Sequence, residues 1–384
     1  MSKTVAHLAA VAAALLIVVL EGDFPQAANS HESMTFPREN WQEASPESQG
    51  VDSAKLKAAI AYLDERSGRD GARQLVVIRN GRLIWKGPDS NTRVPIYSCT
   101  KTFTSTILGL LIDDGKCTLD TRAVEYKPNL DDQHSQNADI ALRHLASMTG
   151  GYRGAMGKVA PESPWGDPTA YLTPVAPYSA PGATFQYNDH DVHLLGHILT
   201  RIAGEPLKDF FKRRIADPIG LRDWDWEACG IVNGVAHTNA AGTPWAQGAG
   251  VQIAAEQLAR FGHLFLNRGN WNGKQLVSAR WVDQATTNQA PVTLQWRNMD
   301  LRGRYGFYWW TNGVMVSGKR PWPSAPPRAY TAHGAGSNFC FVVPEWNMVV
   351  VRLAHAPKVR PRPSEINDRT WDAFFARMAE ALGK

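Results

Sequence analysis

The chain has 384 residues, 43% hydrophobic and 20% charged, enough for two to three domains at about 150 residues each and for a sizeable core. This balance excludes a disordered chain, a collagen and a polytopic membrane protein. The net charge of +5 is scattered, with no basic stripe of the kind that binds nucleic acid.

Lys3 precedes an apolar run of thirteen residues, Leu8 to Leu20, that Glu21 and Asp23 end sharply. The run matches the core of a secretory signal and is short for a membrane span of about 20 residues. Residues 1–30 are therefore expected to be a signal peptide, cut near Ala27 or Ala28, with an uncleaved anchor as the alternative. Either way the folded body is expected outside the cytoplasmic membrane, periplasmic or secreted. The four cysteines, Cys99, Cys117, Cys229 and Cys340, match neither a zinc pattern nor a dense disulfide framework. One bridge or four buried thiols are both open.

Residues 52–66 read as an amphipathic helix, with Leu56, Ile60 and Leu63 at helical spacing and Asp52 or Ser53 as cap. Asn80-Gly81 between two β-prone runs is a strong hairpin signal. A helix follows from Ser98 to Asp114, stopped by Gly115. Helical periodicity recurs over 140–148, 190–203, 207–215 and 254–266. Between these lies a loop, 150–186, rich in Gly, Pro and Trp and long enough to suggest a functional role. Strands return at 305–310, 339–343 and 348–353, and a last amphipathic helix covers 367–382. This order predicts an α+β fold: an antiparallel sheet built from 31–119 and 291–384, flanked by the N- and C-terminal helices, with a mostly helical domain inserted over 120–290.

Ser98 and Lys101 lie three apart at the expected start of a helix and share a face. A Lys beside a Ser hydroxyl can take its proton if burial or nearby cations depress its pKa. The helix start also offers N–H groups to an oxyanion. Taken alone the spacing is weak, since about 0.7 such matches arise by chance from this composition. Tyr187, in Phe185-Gln-Tyr187-Asn188-Asp189, stands in a loop before a helix. The Gly-rich Tyr330-Thr-Ala332-His333-Gly334-Ala335-Gly336 precedes a strand, a Pro and a second strand.

With these three motifs in order, the chain resembles the serine β-lactamase and penicillin-binding-protein superfamily. It is most similar to class C β-lactamase-related esterases, peptidases and 6-aminohexanoate-dimer hydrolases, over about 45–380. The resemblance implies a β-lactamase/transpeptidase-like fold and a hydrolase of ester or amide bonds. In it Ser98 is the acylated nucleophile, Lys101 its partner and Tyr187 the proton shuttle to the leaving group. Backbone N–H groups of Ser98 and Ala335 form the oxyanion hole. Two departures stand out. Asp189 replaces the usual Asn and, ionised, cannot donate to a substrate carbonyl. The Lys of the third motif is absent, which argues against strong β-lactamase activity. Asp189, His333, Gly334 and Trp165 are expected at the substrate, with Trp165 and Trp245 as walls of an apolar pocket. Small esters, amides or peptides are the expected partners, with no cofactor, metal, nucleic acid or obligate protein partner.

Two rivals remain. His190, His193 and His197 recur on one helical face and, with Asp189 or Asp191, suit a metallohydrolase. A non-catalytic sensor that is acylated without turnover would keep the same Ser98. No Gly-x-Ser-x-Gly elbow occurs.

Overall fold

The hairpin at Asn80-Gly81 forms as its sequence demands. Asn80 and Gly81 both adopt positive φ, 52° and 77°, which matches the twist of the strands they join. In this computed structural model, which describes residues 34–127, 130–131, 134–152, 176–232, 234–244, 248–354 and 366–384, that hairpin is one edge of a six-stranded antiparallel sheet. The strand order is Trp310–Thr311, Tyr330–Gly334, Asn338–Val343, Met348–Leu353, Gln74–Arg79, Arg82–Lys86. Both ends of the chain thus build one sheet. Its central strands are buried from end to end except at Arg79, because helices cover both faces.

The helices are α1 (Ser53–Arg66), α2 (Thr100–Asp113), α3 (Leu142–Ala146), α4 (Asp189–Ala203), α5 (Leu207–Phe211), α6 (Ala255–Leu266), α7 (Ala279–Ala285) and α8 (Asp368–Ala381). Caps decide several starts: Asp52, Asn188, Ser278 and Asn367 each accept a backbone N–H from the first turn. On one sheet face, α8 sets Trp371 against Phe339 and Phe341, with ring centroids 5.1 and 4.6 Å apart. The other face carries α6, where Cys340 lies against Leu258. All four cysteines are buried thiols outside any disulfide.

Helix α2 is buried from Thr100 to Leu111. Its threonines survive burial because their hydroxyls find partners. Thr102 donates to Cys99 O and Thr104 to Ala240 O, both at 2.8 Å, while Thr100 accepts the Val251 N–H at 2.9 Å. Phe103 anchors the helix between Phe261 of α6 and Phe211 of α5, at 4.5 and 4.8 Å.

Two expectations need correction. The aromatic run 305–310 is not a strand: Tyr305 and Trp310 bridge each other, and Tyr308 sits at φ 67°. The turn sends its side chains to different partners, Phe307 onto Trp281, Trp309 onto Phe265, and the Tyr308 hydroxyl to Leu145 O. An alternating strand offers only two faces. The stretch between the sheet's two contributions is also less purely helical than its periodicity implies. It contains Ala228–Val232 paired with Val235–Thr238, and Val251–Ile253 between Val94–Pro95 and Asp225–Trp226. The expected signal segment lies outside the described residues. Among the described residues no helix is long and apolar enough to cross a membrane.

Arg352, buried in the sheet, donates to Ser67 O, Gly71 O, Gly336 O and Ser337 O at 3.0 to 3.3 Å. Burial pushes its guanidinium down to about 10, so it stays protonated at neutral pH. It ties the end of α1 to the turn after Ala335. Arg352→Met leaves four carbonyls without this donor and is expected to cost about 3 kcal/mol or more, measurable by urea unfolding at pH 7.

Candidate active site

Ser98 lies in a 3₁₀ turn, Tyr97–Cys99, that leads directly into α2. Tyr97 holds a positive φ of 49°, a strained conformation for a bulky side chain of the kind that gathers at functional sites. The turn aims Ser98 at the surface, while Lys101, one turn on, is only 1% exposed. Lys101 Nζ lies 2.8 Å from Ser98 Oγ, 2.8 Å from Ala241 O and 2.8 Å from Asp189 Oδ1. The three-residue spacing thus does bring Ser98 and Lys101 together.

The half-buried Tyr187 completes the group. Ser98 and Lys101 are the neighbours of its hydroxyl that favour the phenolate, and Lys101 Nζ lies 5.2 Å from its ring centroid. Tyr305 and Trp310 pack edge-on to that ring. The strand Thr184–Gln186 carries Tyr187 to the site, and Asn298 Nδ2 donates to its carbonyl at 2.8 Å.

Asp189, expected at the substrate, is instead the counter-ion of Lys101. Its second oxygen accepts from the Thr243 hydroxyl at 2.7 Å, so both carboxylate oxygens are engaged. Burial alone would push the Lys101 ammonium down. The Asp189 carboxylate and Tyr187 outweigh it and hold Lys101 above its usual value. Burial would likewise raise Asp189, but Lys101 and His193 keep it below the ordinary carboxylate range. Burial raises the Tyr187 phenol; Lys101 opposes that shift and Asp189 adds to it. The expectation of a depressed Lys101 is therefore reversed, because its nearest charged neighbour is an anion.

Gly334 and His333 part company on their strand. A Cβ on Gly334 would lie 2.1 Å from Ile96 O and 3.1 Å from Cys99 N. Gly334 thus serves close packing against the Ser98 turn, and only glycine fits. The His333 ring stacks on Phe339 at 4.3 Å and meets Trp310 edge-on at 4.5 Å. Burial pushes its imidazole down to about 3, leaving it neutral. His333 thus packs between Phe339 and Trp310. Ala335 follows Gly334 beside the turn; its carbonyl accepts from Asn338 Nδ2 at 2.8 Å, and Cys99 Sγ donates to Asn338 O. Trp165 and Trp245 lie outside the described residues.

The histidines of α4 do not converge. His190 packs on Tyr152 at 4.4 Å, His193 Nε2 meets Thr243 Oγ1 at 3.0 Å, and His197 stacks on His237 at 4.9 Å. Among the described residues no group of three or more His, Cys, Asp or Glu is placed to hold a metal ion. The metallohydrolase alternative loses its geometric basis. Thr243, Ala241 and Tyr97 escaped the sequence reading; the positive φ and the carbonyl contact leave no mark in composition or period.

The geometry can now be set beside known proteins. The sequence model of one family, Beta-lactamase, matches residues 56–373. The chain belongs to the Beta-lactamase family. Within that family a "Beta-lactamase" from Pseudomonas fluorescens is 29% identical over 133 residues, 34% of this chain and 36% of that protein. The chain's match thus spans about a third of that curated relative's length. A putative β-lactamase from Bacteroides dorei superposes with a TM-score of 0.68 at 16% identity, covering 87% of this chain and 100% of that one. A putative 6-aminohexanoate-dimer hydrolase from Bacillus anthracis gives 0.64 at 19% identity, covering 91% and 90%. The fold of this Beta-lactamase family member is therefore β-lactamase/transpeptidase-like, and its family is one of hydrolases.

Asp191, two residues beyond Asp189, accepts the Gly150 N–H with Oδ2 at 3.0 Å, while buried Oδ1 has no hydrogen-bond partner among the described residues. Burial pushes its carboxyl up to about 7. A carboxyl raised in the folded state favours folding fully below its unfolded value of about 3.9 and loses that contribution as pH rises through 7. Asp191→Asn, neutral throughout, is expected to gain in melting temperature over the parent between pH 4 and 7, with the difference level above. A difference independent of pH would refute this.

Proposed function

We propose that this protein is an exported serine hydrolase that cleaves an ester or amide through an acyl-enzyme on Ser98. The observation that carries the reading is Ser98 Oγ at 2.8 Å from the buried Lys101 Nζ, with the Tyr187 ring centroid 5.2 Å from that Nζ. In the first step the Lys101–Tyr187 pair takes the Ser98 proton as Oγ bonds to the carbonyl carbon. Backbone N–H groups of Ser98 and Ala335 hold the oxyanion. Tyr187 hands the proton to the leaving alcohol or amine as its bond to carbon breaks. Water then attacks the acyl carbon, gives a proton to the same pair, and Ser98 regains it as the acid departs.

Membership of the Beta-lactamase family and the likeness to a structure named for 6-aminohexanoate-dimer hydrolysis support ester or amide chemistry. The missing Lys of the third motif argues for weak or no β-lactamase activity. The apolar run at 8–20 supports export to the periplasm or beyond.

The test is p-nitrophenyl butyrate hydrolysis with intact-mass detection of the acyl-enzyme. Ser98→Ala is expected to lose about a thousandfold or more, and Tyr187→Phe about a hundredfold or more. Acyl mass should map to Ser98. Unchanged turnover in Ser98→Ala would overturn the reading; stable acylation without turnover would mark a sensor instead.

A further inference from the structure

Lys101 has three N–H donors as an ammonium. Its partners at 2.8 Å are Ser98 Oγ, Ala241 O and Asp189 Oδ1. A carbonyl and a carboxylate can only accept. With all three protons so placed, Lys101 has no lone pair for the Ser98 proton. We propose that Asp189 is a positioning residue that holds Lys101 as this donor-only ammonium in the free enzyme, and so sets the pH at which Ser98 becomes nucleophilic. The proposal rests on the serine-hydrolase reading of the same site.

The carboxylate is built into place. Thr243 donates to Asp189 Oδ2 at 2.7 Å, so its oxygen accepts from His193 Nε2 at 3.0 Å. Asn239 fixes the loop that carries Thr243: its Oδ1 accepts from Gly242 N and Thr243 N, and its Nδ2 donates to Thr243 O. That loop also presents Ala241 O to Lys101. One loop therefore anchors both members of the ion pair.

The titratable and charged groups around the pair come from three directions. Cys99 neighbours Lys101 at the start of α2. Tyr187 precedes α4, and His193 lies on it. Tyr305 and Tyr308 face the pair from the 305–310 turn. Lys101 is the cation bonded to Asp189. The proton that must leave for Ser98 to react belongs to the Lys101–Tyr187 pair. The anion beside that pair favours its protonated form.

Asp189→Asn tests this with nearly the same shape. The amide oxygen still accepts from Lys101, and its nitrogen can donate to Thr243, which then turns its hydroxyl to His193. Ser98 is phosphonylated with a fluorophosphonate, which expels fluoride as Oγ bonds to phosphorus. The rate is followed by intact mass from pH 5 to 11, with circular dichroism to verify folding. The ascending limb of Asp189→Asn is expected about one pH unit or more below that of the parent. Thr243→Val, which leaves Asp189 one donor fewer and concentrates its charge on Lys101, is expected to move the limb upward. Superimposable limbs would overturn this inference alone. No labelling of Ser98 in any protein at any pH would overturn the serine-hydrolase reading and this inference with it.

Discussion

A buried ammonium without partners costs several kcal/mol to desolvate, and the candidate site is organised around meeting that cost at Lys101. Ser98 comes from its own helix turn, but the other two partners come from distant parts of the chain: Asp189 from the start of α4 and Ala241 from the loop after the 235–238 strand. Bringing them within 2.8 Å requires α4 and the 239–244 loop to close on α2. The same closure delivers Tyr187 to Ser98, because Tyr187 is only two residues from Asp189. A buried charge that needs compensation and a serine hydroxyl set beside a lysine and a tyrosine are thus served by one packing arrangement.

The scaffold makes that arrangement rigid. Helix α2 passes through the core with its threonines hydrogen-bonded to its neighbours and Phe103 held between aromatic rings. It cannot shift without breaking buried hydrogen bonds. The sheet approaches from the other side, where Gly334 lets the 330–334 strand lie against the Ser98 turn. Arg352 braces the turn that follows. Stiff support on both sides of Ser98 is what preorganised catalysis demands.

Features governed by neighbours in sequence are legible in the sequence alone. The Asn80-Gly81 hairpin, the Asp52 cap of α1 and the terminal helix follow from local propensity and period. The paired strands 338–343 and 348–353 were legible because both are continuous apolar runs flanking Pro344 to Asn347. The 305–310 segment was not, since five aromatics and a Gly fit a strand equally well until their separate partners are known. The short strands between 225 and 253 carry too few residues for a period to register.

For the site, the sequence by itself determined the chemical parts: Ser98 and Lys101 one helical turn apart, Tyr187 before a helix, and an Asp where a neutral amide is usual. Spacing of three on a helix is enough to put the first two side by side. Only the tertiary structure decided what Asp189 does, because its meaning depends on the charge it meets. Beside Lys101 it is a counter-ion that reverses the expected shift of the amine. The same holds for His333 and the three histidines of α4. Their residue types were visible, but whether a side chain faces a nucleophile, a metal or another ring is settled by packing across the fold.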